Sequence, residues 1–201
     1  HRRLTVSSDI AERPLHEIYL ASFEGAVRES HPWSVMCSYN RINGIHSSEN
    51  KELLTNVLRN DWGFDGIVMS DWGAVNDRVK GCIAGLDLEM PGPAKYNHKK
   101  VVDAIQNGLL DEKYLNQCVE RVLDVKYRIL DGRKEGNYDL EKHHQIARKI
   151  GEECVVLLKN DNQILPLKKE QKVAFIGPYA TKPRYQGGGS SHINAFKVTN
   201  A

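Results

Sequence analysis

The chain has 201 residues, enough for one large domain or for one domain and part of another. Hydrophobic residues make up 40% and charged residues 27%, and 28 Lys+Arg against 26 Asp+Glu leave a net charge of +2. That balance supports a buried core and gives no footing to a nucleic-acid or membrane-surface role, and no apolar run approaches the roughly 18 residues a membrane helix needs.

Helix and strand signals alternate along the chain. Residues 13–29 carry Leu15, Ile18, Tyr19, Phe23, Ala26 and Val27 at helical spacing, with Pro14 in the first turn, where its missing N–H costs nothing. WSVMCSY (33–39) favours a short strand. Residues 50–60 put Leu53, Leu54, Val57 and Leu58 on one helical face. GIVMS (66–70) is a brief apolar strand that stops at Asp71-Trp72-Gly73. Val75, Val79, Cys82 and Ile83 mark the next helix, and Leu86, Leu88 and Met90 suggest a third short strand ended by Pro91-Gly92-Pro93. Helices follow near 98–109 and 111–130, the second with Leu115, Cys118, Val119, Val122, Val125 and Ile129 on one face. Apolar strands between amphipathic helices imply a parallel sheet covered by helices, an α/β architecture.

Composition shifts at DGRKEGNYD (131–139), a polar stretch with two glycines that reads as a linker. Beyond it the pattern predicts a helix over 141–153 and strands in CVVLLKN (154–160), ILPL (164–167) and KVAFIGPYA (172–180). TKPRYQGGGSSH (181–192) reads as a loop. Three strands before the linker fall short of the eight strands and about 250 residues of a closed (β/α)₈ barrel, so both ends of the chain read as cut. The opening HRRLTVSSD has neither an initiator Met nor an apolar signal region, which leaves cytoplasmic and secreted settings both open. Cys37, Cys82, Cys118 and Cys154 sit in apolar sequence with no CxxC pair. They read as reduced core thiols, which tilts the setting toward the cytoplasm.

Four segments offer chemistry. SDWG (70–73) delivers a carboxylate and a large aromatic to a strand's carboxyl end, where parallel α/β proteins build their sites. Asp71 there is either a nucleophile or base, with Trp72 as a flat face for a sugar ring, or the cap of a helix starting near Ala74. SYNRING (38–44) places Tyr39 past another strand, either as a hydrogen-bond donor to a neighbouring carboxylate or as a buried ring above an Asn43-Gly44 turn. LDLEMPGP (86–93) brings Asp87 and Glu89 to a third strand end. One of them is a second carboxylate, or they hold the backbone or bind a helix N-terminus. QGGGSSH (186–192) lacks the Lys of a phosphate loop, and none of the eight histidines has metal-ligand spacing, so no metal site is expected.

Taken together, PWSVMCSYNRING, LLTNVLRNDWGFDGIVMSDWGA, GLDLEMPGP and CVVLLKNDNQILPL, with the entry helix ERPLHEIYLASFEGAV, resemble a family 3 glycoside hydrolase of the β-glucosidase type. The resemblance implies a partial TIM-like (β/α)₈ barrel, later strands only, over 1–130. It implies a linker and connecting helix over 131–150 and the beginning of an α/β sandwich domain over 151–201. It implies Asp71 as catalytic nucleophile, Trp72 lining the sugar site, Tyr39 against the nucleophile with Met36 nearby, and Ser190 of the glycine-rich loop near the substrate. The family's Lys-His pair and its sugar-holding acidic residue would precede His1, and its acid/base Glu would follow Ala201, so these 201 residues alone are expected to be inactive. The implied reaction is retaining hydrolysis of a terminal β-glycosidic bond through a covalent glycosyl-aspartate, without a cofactor, on a β-linked glucoside or oligosaccharide. A β-xylosidase, α-arabinosidase or N-acetylglucosaminidase of the same family is the alternative. A non-catalytic sugar-binding domain would be favoured by loss of Asp71, which is present. A nucleotide-binding domain would rest on KVAFIGPYA and GGGSS, and ATP or NAD binding would decide it. No nucleic-acid or membrane partner is expected, and oligomeric state stays open.

Overall fold

In the computed structural model, which describes residues 2–200, the chain forms two units, His1–Arg133 and Lys134–Ala201. The first unit opens with β1 (Ser7–Ser8) and a helical stretch in three pieces: α1 (Glu12–Pro14), a wider π turn at Leu15–Tyr19, and α2 (Ala21–Ser30). The single helix expected over 13–29 is interrupted because the Leu20 N–H reaches back five residues, to the Leu15 carbonyl at 2.8 Å. α2 ends at His31, whose left-handed backbone lets its N–H close on the Val27 carbonyl.

Next come β2 (Ser34–Cys37), β3 (Arg41–Ile42) and β4 (Ile45–His46). Asn43 and Gly44, with φ of 49 and 83, form the two-residue turn whose twist suits the β3–β4 hairpin. β1 joins β3 in parallel. A 3₁₀ turn (Ser47–Glu49) and a π-helical segment (Glu52–Asp61) lead to β5 (Ile67–Ser70). β5 lies parallel to β2, in register from Ser34↔Ile67 to Cys37↔Ser70. The side chains of Val27, Leu54, Leu58, Val68 and Leu86 close one core between helices and strands.

The third strand expected over 86–90 shrinks to one parallel bridge, Met69↔Leu88. The groups that would extend it are used elsewhere. The Val68 N–H goes to the Asp87 carboxylate at 2.8 Å, and the Leu86 carbonyl accepts from Arg78 Nη1 at 3.0 Å. On the other side Pro91 has no N–H to give. α3 (Arg78–Ala84), α4 (Lys95–Gln106) and α5 (Glu112–Asp131) complete the unit, and Cys82, Val101, Ala104 and Leu110 form a second core under them. Asp77 and Asp111 cap α3 and α5.

The second unit contains α6 (Leu140–Glu153), capped by Asp139, then α7 (Pro178–Thr181) and a 3₁₀ turn at Gly189–Ser191. The strands expected in 154–160, 164–167 and 172–180 do not form among its described residues. Residues 178–180 are instead the start of α7. An apolar run becomes a strand only when a neighbour completes its hydrogen-bond ladder, and here none does. Leu158 and Ile176 are each 92% exposed. All four cysteines are free. Cys154 is exposed, against the expectation of a core thiol, while Cys37, Cys82 and Cys118 are buried. No helix among the described residues is long and apolar enough to cross a membrane.

Candidate active site

β2 and β5 run parallel and in register, so the residues just past them arrive at the same edge of the sheet. Tyr39 follows β2 by two residues and Asp71 follows β5 directly. The Tyr39 hydroxyl donates to Asp71 Oδ1 at 2.7 Å, and the Trp72 backbone N–H donates to the same oxygen at 2.6 Å. Asp71 Oδ2 meets no donor among the described residues. The bond to Asp71 is the main reason the Tyr39 phenol is raised above its ordinary value, because losing the proton would set two negative oxygens together. The Arg3 guanidinium lies over the Tyr39 ring, 4.3 Å from its centre.

The turn after β5 is held from several sides. Gly73 has φ 73, a conformation that disfavours a side chain, and its N–H donates to the Met90 carbonyl at 3.0 Å. The Met90 N–H in turn donates to Ser70 Oγ at 2.8 Å. On the other strand, the Ser38 and Ser47 hydroxyls share a 2.7 Å hydrogen bond and Ser47 Oγ donates to the Asn40 carbonyl, which fixes the loop carrying Tyr39. Asp71 caps no helix. α3 starts at Arg78, and its cap is Asp77, which accepts from the N–H groups of Val79 and Lys80 at 3.0 and 3.1 Å.

Trp72 is 60% exposed and presents its ring to solvent. Met36 is exposed on β2, in register with Met69 of β5. Ser190 is an exposed residue of the 3₁₀ turn in the second unit. Asp87 has a side chain shut off from solvent, and it accepts from Arg59 Nη2 at 2.6 Å, Arg121 Nε at 2.8 Å and the Val68 N–H at 2.8 Å. It holds the backbone of β5, one of the roles the sequence left open. Glu89 Oε1 accepts from Asn97 at 2.6 Å, while its Oε2 is buried without a partner. Burial pushes the Cys37 thiol up to about 11.

Sequence reasoning missed the arginines around Asp87. Arg78 donates to the Leu86 and Asp87 carbonyls at 3.0 and 3.1 Å, completing the cluster with Arg59 and Arg121. Arg121 did leave a signal: it falls in phase with Cys118, Val122 and Val125 on the apolar face of its helix, where a charge needs a buried partner. Among the described residues no three His, Cys, Asp or Glu side chains are grouped to hold a metal ion.

The sequence model for the Glycosyl hydrolase family 3 N terminal domain matches residues 3–125, and that for the Glycosyl hydrolase family 3 C-terminal domain matches residues 155–201. Thermostable beta-glucosidase B of Acetivibrio thermocellus is 55% identical over 199 residues, 98% of this chain and 26% of the relative. An exo-alpha-(1->6)-L-arabinopyranosidase of Bifidobacterium longum is 46% identical over 98% of this chain and 27% of its own length. The chain therefore spans about a quarter of the length of these relatives. Among solved structures, beta-glucosidase 3B from Thermotoga neapolitana in complex with alpha-D-glucose superposes with a TM-score of 0.82 at 40% identity, covering 94% of this chain and 28% of that one.

Proposed function

The chain belongs to glycosyl hydrolase family 3, and from that membership we propose that it carries the nucleophile side of a retaining β-glycosidase site, glucoside-cleaving in the first instance. The observation that carries this reading is the Tyr39–Asp71 hydrogen bond of 2.7 Å past the ends of two paired parallel strands. With Oδ1 held by Tyr39 and Trp72, Oδ2 is the oxygen that attacks the anomeric carbon, and a glycosyl-aspartate forms. Trp72 offers the stacking face for the sugar ring, and Met36 borders the same edge.

Retention needs a second carboxyl about 5–5.5 Å from the first, to protonate the leaving oxygen and then activate water. Asp87 is unsuited to that task, because both of its oxygens are committed to arginines. No metal or cofactor is required. On this reading residues 1–130 are later strands and helices of a TIM-like barrel, residues 131–150 a linker and connecting helix, and residues 151–201 the beginning of an α/β sandwich domain. An arabinopyranosidase activity is the second reading, favoured by the 46% identity to the Bifidobacterium longum enzyme.

The test is to react the full-length protein containing this chain with a 2-deoxy-2-fluoro glucoside, digest it, and map the labelled peptide. A sugar on Asp71 is expected. A label on Glu89 or elsewhere overturns the assignment. Turnover of an α-L-arabinopyranoside in preference to a β-glucoside selects the second reading.

A further inference from the structure

A cavity of about 420 Å³ opens between the π-helical segment Glu52–Asp61, the end of α3 and the first half of α5. It shares no lining residue with the Tyr39–Asp71 pair, and its size suits a small molecule. Lys51, Arg59, Lys113 and Arg121 line it, and no carboxylate does. Lys51 and Lys113 are exposed at its mouth, whereas the two arginines are drawn inward. Here the Arg59 side chain is only 10% exposed, and its Nε is buried without a partner.

Two guanidiniums share one carboxylate, Asp87, so a positive charge is left over on the inner wall of the cavity. Arg121 uses only Nε on Asp87, and neither of its Nη groups meets an acceptor among the described residues. Lys113 sits in the first turn of the 20-residue α5, where the helix end adds positive potential, and Asp111 neutralises it in part at 2.8 Å. Gln117 adds a neutral donor.

We propose that this cavity binds a small phosphate-bearing metabolite. The phosphate oxygens are taken by the planar fork of Arg121 and by the ammonium groups of Lys51 and Lys113. A dianion answers several converging cations better than a single carboxylate does, and a guanidinium's paired N–H groups match two phosphate oxygens. The volume leaves room for a sugar-sized body beside the phosphate. None of this depends on the role assigned to Asp71.

The experiment is calorimetric titration of the full-length protein with inorganic phosphate and, separately, with ribose 5-phosphate, against sodium chloride at matched ionic strength. Saturable one-to-one binding of at least one probe is expected. Lys51→Glu and Lys113→Glu, exposed changes that leave Asp87 and its arginines intact, should each weaken it at least about tenfold, the equivalent of 1.4 kcal/mol. Tighter binding of ribose 5-phosphate identifies a phosphomonoester as the ligand, and equal binding identifies the free ion. Absence of saturable binding by both probes overturns the proposal. So does binding that both lysine variants leave within about twofold, since the anion would then sit elsewhere.

Discussion

Two apolar runs show how differently the two units treat similar sequence. Ile67–Ser70 in the first unit and Val155–Leu158 in the second are both short and rich in β-branched or aliphatic residues. The first becomes β5, with β2 on one side and Leu88 on the other, and Val68 at its centre has no solvent exposure. The second pairs with no strand among the described residues, and its Leu158 lies open to water. Side-chain hydrophobicity is therefore not what separates them. The difference lies in whether the backbone N–H and C=O groups find partners, because unpaired groups keep a segment solvated and its side chains with it.

The contrast can be tested from its strongest point downward. Asp71→Asn in the full-length protein should reduce turnover by at least about 10⁴-fold while leaving the melting temperature unchanged, since an amide cannot form the glycosyl ester. Steady-state kinetics beside a thermal melt separates the two effects. A variant that keeps a tenth of the activity would remove the chemical distinction of the first unit. Next in size is Asp87→Ala, which strands Arg59 and Arg121 in the interior. It should cost about 3–5 kcal/mol in denaturant unfolding.

The most direct comparison pairs Leu86→Ala with Leu158→Ala in this chain. Leu86 is sealed in the first core, and its truncation should cost about 2–5 kcal/mol. Leu158 should change stability by no more than about 0.5 kcal/mol. Equal costs would mean that residues 155–158 are packed in solution.

Tyr39→Phe removes one donor to Asp71 Oδ1 and should lower kcat roughly 10–100-fold with the fold intact, the worth of one hydrogen bond to a charged group. The pH dependence has a definite sign. The phenol's value is raised above 10.0 in the folded protein, so the bond is fully present below that ordinary value. It is lost only as pH rises through the raised one. The gap between wild type and Tyr39→Phe should therefore stay constant through the neutral range and close only in strong alkali. The gentlest measurement is amide hydrogen exchange in the same chain. The amides of Val68 and Ser70 should be protected, while those of 155–158 and 173–176 exchange as an open backbone does.

Much of the first unit was readable because its signals are local. The 3.6-residue period over 111–130 finds α5, and the helix expected over 141–153 is α6. Asn43-Gly44 announced the β3–β4 turn, and the apolar runs at 33–39 and 66–70 held β2 and β5. Asp71 and Tyr39 were legible as candidates from their positions just past those strands. What the amino-acid order could not supply was which of several acidic residues does which task. Asp77, not Asp71, caps the helix, and Asp87 is drawn into the interior by arginines 28 and 34 positions away. The meeting of Tyr39 with Asp71 spans 32 residues in the same way. Helix periods and turn pairs are settled by neighbours within four residues, through backbone bonds and side-chain spacing. A buried charge, a strand ladder or a reactive carboxylate is settled by a partner that only folding brings near. For that reason Ile67–Ser70 became a strand that ends beside Asp71, and Val155–Leu158 stayed an apolar run without a ladder among the described residues.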